Sequence, residues 1–220
     1  VQQDVQRIID IYRRSGRYSV TVEPKIIQQP QNRVDLVFEI DEGALTPVQA
    51  INFIGNKRFS DSTLRGEIAT KEYAFYRILS NDDTYDPDRL SFDRERLRQF
   101  YLENGYADFQ VLSAVAELAP DRESFAVTFT VEEGPRYNFG ASSFDVALPR
   151  VTEEALVPLI AYEQGDIYNA NEVDATVDAI TDYLGTLGYA FVSVRPRPNR
   201  DRENDVIDIQ FQIGEGARVF

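Results

Sequence analysis

Leu97-Arg98-Gln99-Phe100-Tyr101-Leu102-Glu103-Asn104-Gly105-Tyr106-Ala107-Asp108 is the stretch on which the reading of this chain turns. Leu97, Phe100 and Tyr101, with Leu90 two turns upstream, share one stripe of a helix. Gly105 stands where a helix ends in the left-handed conformation, which a residue without Cβ adopts at little cost. Tyr106 follows, then a strand and the polar turn Pro120-Asp121-Arg122-Glu123. Phe125, Val127, Phe129 and Val131 next alternate with Ala126, Thr128, Thr130 and Glu132 until Gly134 closes the run. A period of two buries one face of a strand and leaves the other largely wet.

The same phrase stands on both sides of this copy. Upstream, Val1, Val5, Ile8 and Tyr12 stripe a helix over 1–15, Gly16 and Tyr18 follow, and Val34, Leu36, Phe38 and Ile40 alternate up to Gly43. Downstream, Val173, Val177, Ile180, Leu184 and Leu187 stripe a helix ahead of Gly188-Tyr189, and Ile207, Ile209, Phe211 and Ile213 alternate up to Gly216. Gln29-Pro30-Gln31-Asn32 and the polar run 199–205 supply the other two hairpin turns. Asp86-Pro87 and Asn171 are the predicted helix starts, each with a capping oxygen. A phrase written three times, with its closing glycines 91 and 82 residues apart, predicts an array of small modules.

Each full interval also has a front half. Val48-Gln49-Ala50-Ile51-Asn52-Phe53-Ile54 reads as a strand leaving through Gly55-Asn56, two residues that tolerate the left-handed turn of a tight exit. Ser60 caps a short helix running to about Thr70. In the next interval 137–146 is a weaker strand, and Thr152 caps a helix with Glu153 and Glu154 in its first turn. The predicted fold is α+β: modules of order β-α-α-β-β, each a three-stranded mixed sheet with two helices on one face. The predicted boundaries are a partial module over 1–43, complete modules over 44–134 and 135–216, and the opening of another at 217–220.

A net charge of −14 over 220 residues repels phosphate backbones and anionic headgroups, which argues against nucleic acid as a partner. No stretch of about 18 apolar residues is present, so no helical membrane insertion by this segment is expected. There is no Met, and the chain opens in mid-pattern at Val1; a processed or excised chain is the expectation. His and Cys are both absent, which removes His- and Cys-based catalysis and ordinary zinc sites; no enzyme, cofactor or metal is predicted. Asp82, Asp83, Asp86 and Asp88 lack the spacing of a calcium loop and read as a helix start.

Binding is therefore sought on the main chain. Pro is confined mainly to sheet edges. Pro24 falls in the first hairpin strand of copy one, and Pro196 and Pro198, within Arg195-Pro196-Arg197-Pro198, fall in that of copy three. The first hairpin strand is thus the predicted edge and the Glu-Gly strand the predicted centre. The middle copy's edge, Ala107-Asp108-Phe109-Gln110-Val111-Leu112-Ser113-Ala114-Val115-Ala116-Glu117-Leu118, has no Pro, and Asp108 and Glu117 are its only charges. Twelve residues at ~3.3 Å each offer a pairing row of roughly 40 Å. An unblunted edge is either covered or kept open for strand addition. Tyr73, Phe75, Tyr76 and Tyr85 form a second candidate: a partner-binding loop, or rings folded back over a small core.

The phrase Ala50-Ile51-Asn52-Phe53-Ile54-Gly55-Asn56-Lys57-Arg58-Phe59-Ser60-Asp61 resembles the opening of a POTRA domain. The stretch from Leu97 to Asp108, followed by Phe129-Thr130-Val131-Glu132-Glu133-Gly134, resembles its middle and end. With Asp166-Ile167-Tyr168-Asn169 and Leu187-Gly188-Tyr189-Ala190, the whole chain is similar to the POTRA region of BamA-type outer-membrane assembly proteins, from late in the second POTRA domain through the third and fourth. The third copy departs from the pattern, with Asp145-Val146-Ala147-Leu148 in place of Gly-Asn. The resemblance implies a scaffold at the periplasmic face of the bacterial outer membrane. Its implied partners are unfolded outer-membrane β-barrel proteins, accessory lipoproteins of the assembly complex, and a C-terminal membrane barrel outside these residues. A POTRA array of a related translocation or autotransport assembly protein, or a spacer that binds nothing, are the alternative readings.

Overall fold

A computed structural model describes residues 1–31, 33–74, 82–189 and 191–216. Asn32, Ala190 and the strand expected at 217–220 lie outside the described residues, as do Phe75 and Tyr76. The chain divides into two compact units: Val1–Leu97 with Val111–Glu132, and Arg98–Gln110 with Glu133–Phe220.

The first unit opens with helix α1 (Gln2–Arg14) and the antiparallel hairpin β1 (Thr21–Gln29) and β2 (Arg33–Asp41). Strand β3 (Val48–Ile54), helix α2 (Asp61–Glu67), helix α3 (Pro87–Glu103), β4 (Gln110–Leu118) and β5 (Phe125–Glu132) follow, the end of α3 from Arg98 and the first residue of β4 being counted with the second unit. The sheet order is β3-β5-β4, with β3 parallel to β5. The predicted alternation of β5 is met: Phe125, Val127, Phe129 and Val131 are buried, and Phe53 stacks on Phe129 at 5.3 Å.

In the second unit β6 (Asn138–Val146), α4 (Glu153–Leu156), a 3-10 turn (Val157–Leu159), α5 (Ala170–Thr186), β7 (Val192–Asp201) and β8 (Val206–Glu215) repeat the order. The sheet is β6-β8-β7, with β6 parallel and β7 antiparallel to β8. Its core joins Phe139, Phe144 and Leu156 to Val173, Ile180 and Leu184 of α5 and to Ile207, Ile209, Phe211 and Ile213 of β8. The β-α-α-β-β order and the mixed three-stranded sheet are thus found twice.

Five expectations are corrected. The alternating face of β2 is not buried: Val34 is 66 % exposed and Leu36 42 %. The register sets Val22, Pro24 and Ile26 beside Ile40, Phe38 and Leu36, so one apolar face is formed, but Ile26, Val34, Leu36 and Ile40 on this two-stranded sheet remain exposed. Helix α2 stops at Glu67 and not near Thr70, because the backbone turns extended at Ile68 and the Asp93 carboxylate takes the N–H groups of Ala69 and Thr70. The cap of α5 is Asn169, whose side chain accepts from the N–H of Asn171; Asn171 itself is helical. Leu187 follows the last helical residue and leaves the buried stripe, 48 % exposed. Helix α4 begins after Thr152, but the Thr152 side chain makes no capping hydrogen bond and the helix is only four residues long; Pro158, which has no N–H to donate, sits in the 3-10 turn that continues it.

Candidate functional site

Strand β4 lies at the edge of its sheet, with β5 as its neighbour on the inner side. A tight turn joins the two: the Ala119 N–H donates to the Ser124 carbonyl at 2.9 Å, and Arg122 takes the left-handed conformation at φ 63°. Leu112 and Val115 are exposed, while Val111, Ser113, Ala114 and Ala116 are half-buried. Glu117 is exposed and Leu118 half-buried at the far end. At nine residues the row is about 30 Å long, not 40 Å.

The difference lies at the start of the strand. Ala107, Asp108 and Phe109 stay outside β4. The Tyr106 N–H donates to the Tyr101 carbonyl at 2.9 Å, closing the turn after α3 around Gly105 at φ 94°. The Phe109 ring stacks on Tyr101 at 3.8 Å and 7°, and both rings are buried. The Phe109 N–H donates back to the Tyr106 carbonyl at 3.2 Å, so it is spent in the turn and does not extend the pairing row. The Tyr101 hydroxyl donates to the Glu133 carboxylate at 2.9 Å; burial first, and then that carboxylate, raise the Tyr101 pKa far above its ordinary value.

Asp108 has a different role from that of an edge charge. Its carboxylate accepts from the Tyr137 hydroxyl at 2.8 Å and from Arg202 Nε at 3.1 Å, with Arg200 Nη1 at 3.8 Å. Desolvation works to raise this carboxyl, but the Tyr137 hydroxyl and the two guanidinium groups outweigh it and hold the pKa below the usual aspartate value. Tyr137, wholly buried, is pushed up by desolvation and by the carboxylate it serves.

The aromatic loop separates into unlike residues. Tyr85 packs its ring on Phe125 at 4.4 Å and near Tyr18 at 5.7 Å, which is packing under the sheet edge. Tyr73 is 53 % exposed, and its N–H donates to the Val48 carbonyl at 2.8 Å. Phe75 and Tyr76 lie outside the described residues.

Of the strand-exit pair, Gly55 alone is left-handed, at φ 96°, and a Cβ there would overlap the Val131 carbonyl. Asn56 contributes by its side chain, donating to the Phe59 carbonyl at 3.0 Å and to Asp61 Oδ1 at 2.8 Å. Gly134 at φ 70° and Gly188 at φ 89° are left-handed, and Gly216 is not. The Tyr189 hydroxyl donates to the Pro149 carbonyl.

Sequence reasoning missed Asp93. It is wholly buried in α3 between exposed neighbours, and its carboxylate is held by Ala69 N at 2.6 Å and Thr70 N at 3.2 Å. Its spacing of three from Leu90 and four from Leu97 is the one signal that placed it on the buried stripe.

Comparison with known proteins gives one consistent picture. The chain is 28 % identical over 222 aligned positions to the outer membrane protein assembly factor BamA of Neisseria meningitidis serogroup B, a match covering 100 % of the chain and 28 % of that protein. It is 27 % identical to the BamA of Nitratidesulfovibrio vulgaris, over 99 % of the chain and again 28 % of the relative. The chain thus spans under a third of the length of these relatives. Among solved structures, the POTRA3-5 fragment of Haemophilus influenzae BamA superposes with a TM-score of 0.60 at 19 % identity, covering 97 % of this chain and 80 % of that one; the likeness is one of fold. The model of the family described as "POTRA: Surface antigen variable number repeat" matches residues 1–43, 46–134 and 148–216, and the chain belongs to the POTRA family.

Proposed function

We propose that this chain is a periplasmic scaffold in outer-membrane β-barrel assembly, that β4 receives unfolded barrel strands by β-augmentation, and that accessory lipoproteins dock on the same array. We take its modules as 1–43, 44–134 and 135–216. The likeness to BamA relatives along the whole chain supports the setting. One observation carries the mode of binding: β4 is an edge strand of nine residues without a proline.

The contrast with β7 sharpens this. Pro196 and Pro198 are two residues apart, so the N–H groups they lack belong to the same side of that edge strand. Pro24 interrupts β1 in the same way. Strand β4 keeps every N–H. Alternate residues of an edge face outward, so nine residues present about four or five N–H and as many C=O groups. A pairing that uses five of these, at about 0.5–1.5 kcal/mol each, gives roughly 2.5–7.5 kcal/mol. Association itself costs about 4–15 kcal/mol. A single edge therefore holds a client weakly and without strict sequence preference, as suits a carrier that must release it. Several modules in series raise the effective affinity.

The test is photocrosslinking of an unfolded barrel peptide to a probe at Ala114, with and without Val115→Pro. A proline on the outer side lowers the crosslink several-fold while the melting temperature is kept. Successive N–H groups face opposite edges, so if Val115→Pro unfolds the module, Ala116→Pro is the informative variant. A folded variant that crosslinks as well as the parent rejects augmentation at this edge.

A further inference from the structure

Strand β3 is the outer strand on the side of its sheet away from β4, with β5 as its partner. Its seven residues hold no proline and no charge, whereas β4 at least carries Glu117. By composition β3 is the more inviting edge, because nothing in the strand itself blunts it. Its other side is nevertheless occupied. The Val48 N–H donates to the Asp83 carbonyl at 2.6 Å, and the Val48 carbonyl accepts the N–H of Tyr73 at 2.8 Å. Those contacts run main chain to main chain, as between strands.

At Ile51 the contacts change in kind. Its N–H donates to Glu72 Oε1 at 2.8 Å, and its carbonyl accepts from Arg65 Nε at 2.9 Å. The N–H and C=O of one strand residue point to the same edge. A carboxylate and a guanidinium therefore stand where the C=O and N–H of a neighbouring strand would stand. They also hold each other: Arg65 Nε lies 3.4 Å from Glu72 Oε1, and Arg65 Nη2 lies 3.6 Å from Asp61 Oδ2 one turn earlier on α2. In the second unit the corresponding edge is met by main chain instead. There the Phe139 N–H donates to the Asp166 carbonyl and its carbonyl accepts the N–H of Gly165, both at 2.8 Å. A main-chain cover is fixed by its loop. The cover at Ile51 is held by two side chains that are 36 % and 38 % exposed, and an ion pair in that setting holds weakly.

From this arrangement we infer that Arg65 and Glu72 are specificity-determining residues: they close the β3 edge to strand addition and leave β4 as the receiving edge of the sheet. The inference rests on strand addition as the mode of binding proposed above. What the pair excludes is the class of ligand that β4 takes, an extended unfolded segment, which pairs with the main chain of Ile51 once the two side chains are withdrawn.

Amide hydrogen exchange at Ile51, read on the chain 1–220 with and without an unfolded barrel peptide, tests this. In the parent the Ile51 amide is protected and the peptide leaves its rate unchanged. Glu72→Ala speeds its exchange by on the order of tenfold or more, and excess peptide restores the slow rate. Glu72→Gln keeps an acceptor oxygen and stays closed. Should Glu72→Ala not fold, Arg65→Ala is read in its place, by a gain of peptide crosslinking to a probe at Asn52. One exchange rate in the parent and in Glu72→Ala overturns the inference, as does an opened Ile51 that excess peptide leaves unprotected, or an Arg65→Ala that gains no crosslink. Slowing by the peptide in the parent overturns it too, since that edge was never closed. A peptide that crosslinks at Ala114 but never protects Ile51 in the variant defeats this inference and spares augmentation at β4. One that protects Ile51 in Glu72→Ala without crosslinking at Ala114 does the reverse.

Discussion

The hydroxyl of Tyr137 donates to the carboxylate of Asp108 at 2.8 Å across 29 positions of sequence, and Arg202 closes on the same carboxylate from the turn between β7 and β8. Tyr137 is wholly buried, so its hydroxyl has no solvent to turn to if the partner is lost. Asp108→Ala should therefore lower the stability of the second unit by about 1–3 kcal/mol, measured by urea denaturation. Arg202→Ala should do less, and its effect should fade with added salt, because that side chain is 72 % exposed.

The same carboxylate gives a signed pH dependence. Its folded pKa is depressed, so its contribution is fully present above the unfolded value of about 3.9 and is lost as pH falls through the lower folded value. The stability difference between the parent and Asp108→Asn should be constant above about pH 5 and shrink steadily below about pH 4. A difference that grows on acidification contradicts the assignment.

Asp93 is the buried carboxylate whose removal should be felt most. Asp93→Ala strands the N–H groups of Ala69 and Thr70 in the interior, for a loss of about 2–5 kcal/mol in the first unit. Asp93→Asn keeps an acceptor oxygen and should lose clearly less. Equal losses in the two variants would show that packing, not the hydrogen bonds, is what Asp93 supplies.

Two glycines should answer oppositely to alanine. Gly55→Ala forces a Cβ toward the Val131 carbonyl at positive φ and should destabilise by about 1–3 kcal/mol. Gly66→Ala, inside α2 with open space around it, should stabilise by about 0.5–1 kcal/mol. Thermal melting of the pair checks both signs at once.

Tyr85 and Tyr73 separate packing from surface. Tyr85→Ala removes a ring set against Phe125 and Tyr18 and should cost about 2–4 kcal/mol. Tyr73→Ala, half exposed, should stay within about 0.5 kcal/mol.

Strand β3 was legible to the residue, because Val48, Ala50 and Phe53 sit in a short apolar run that ends on Gly55. The helix ends at Gly16, Gly105 and Gly188 were legible for the same reason: a backbone demand that one residue type meets. The edge position of β7 followed from its prolines. The start of β4 was not legible, since the alternation of 107–109 fits a strand and only the stacking of Phe109 on Tyr101 turns it inward. Asp93 was missed and Asp108 was read as a charge of the edge strand, because local pattern cannot show which distant donors reach a carboxylate. The exposed face of β2 was misread because alternation reports that a strand has an apolar face, and burial depends on what lies over it.

The parallel pairing of β3 with β5 has a consequence for how the chain matures. Val48 meets Phe125 only after every residue between them has been made, whereas β5 follows β4 after a short turn. A hairpin closes quickly and a distant parallel strand slowly, because the longer loop must be closed before any contact rewards it. A polypeptide made from its amino end thus presents β3 unpaired for most of the module's synthesis. The apolar side chains of Val48, Ile51 and Phe53 are then open to aggregation until β5 arrives to cover their strand's edge.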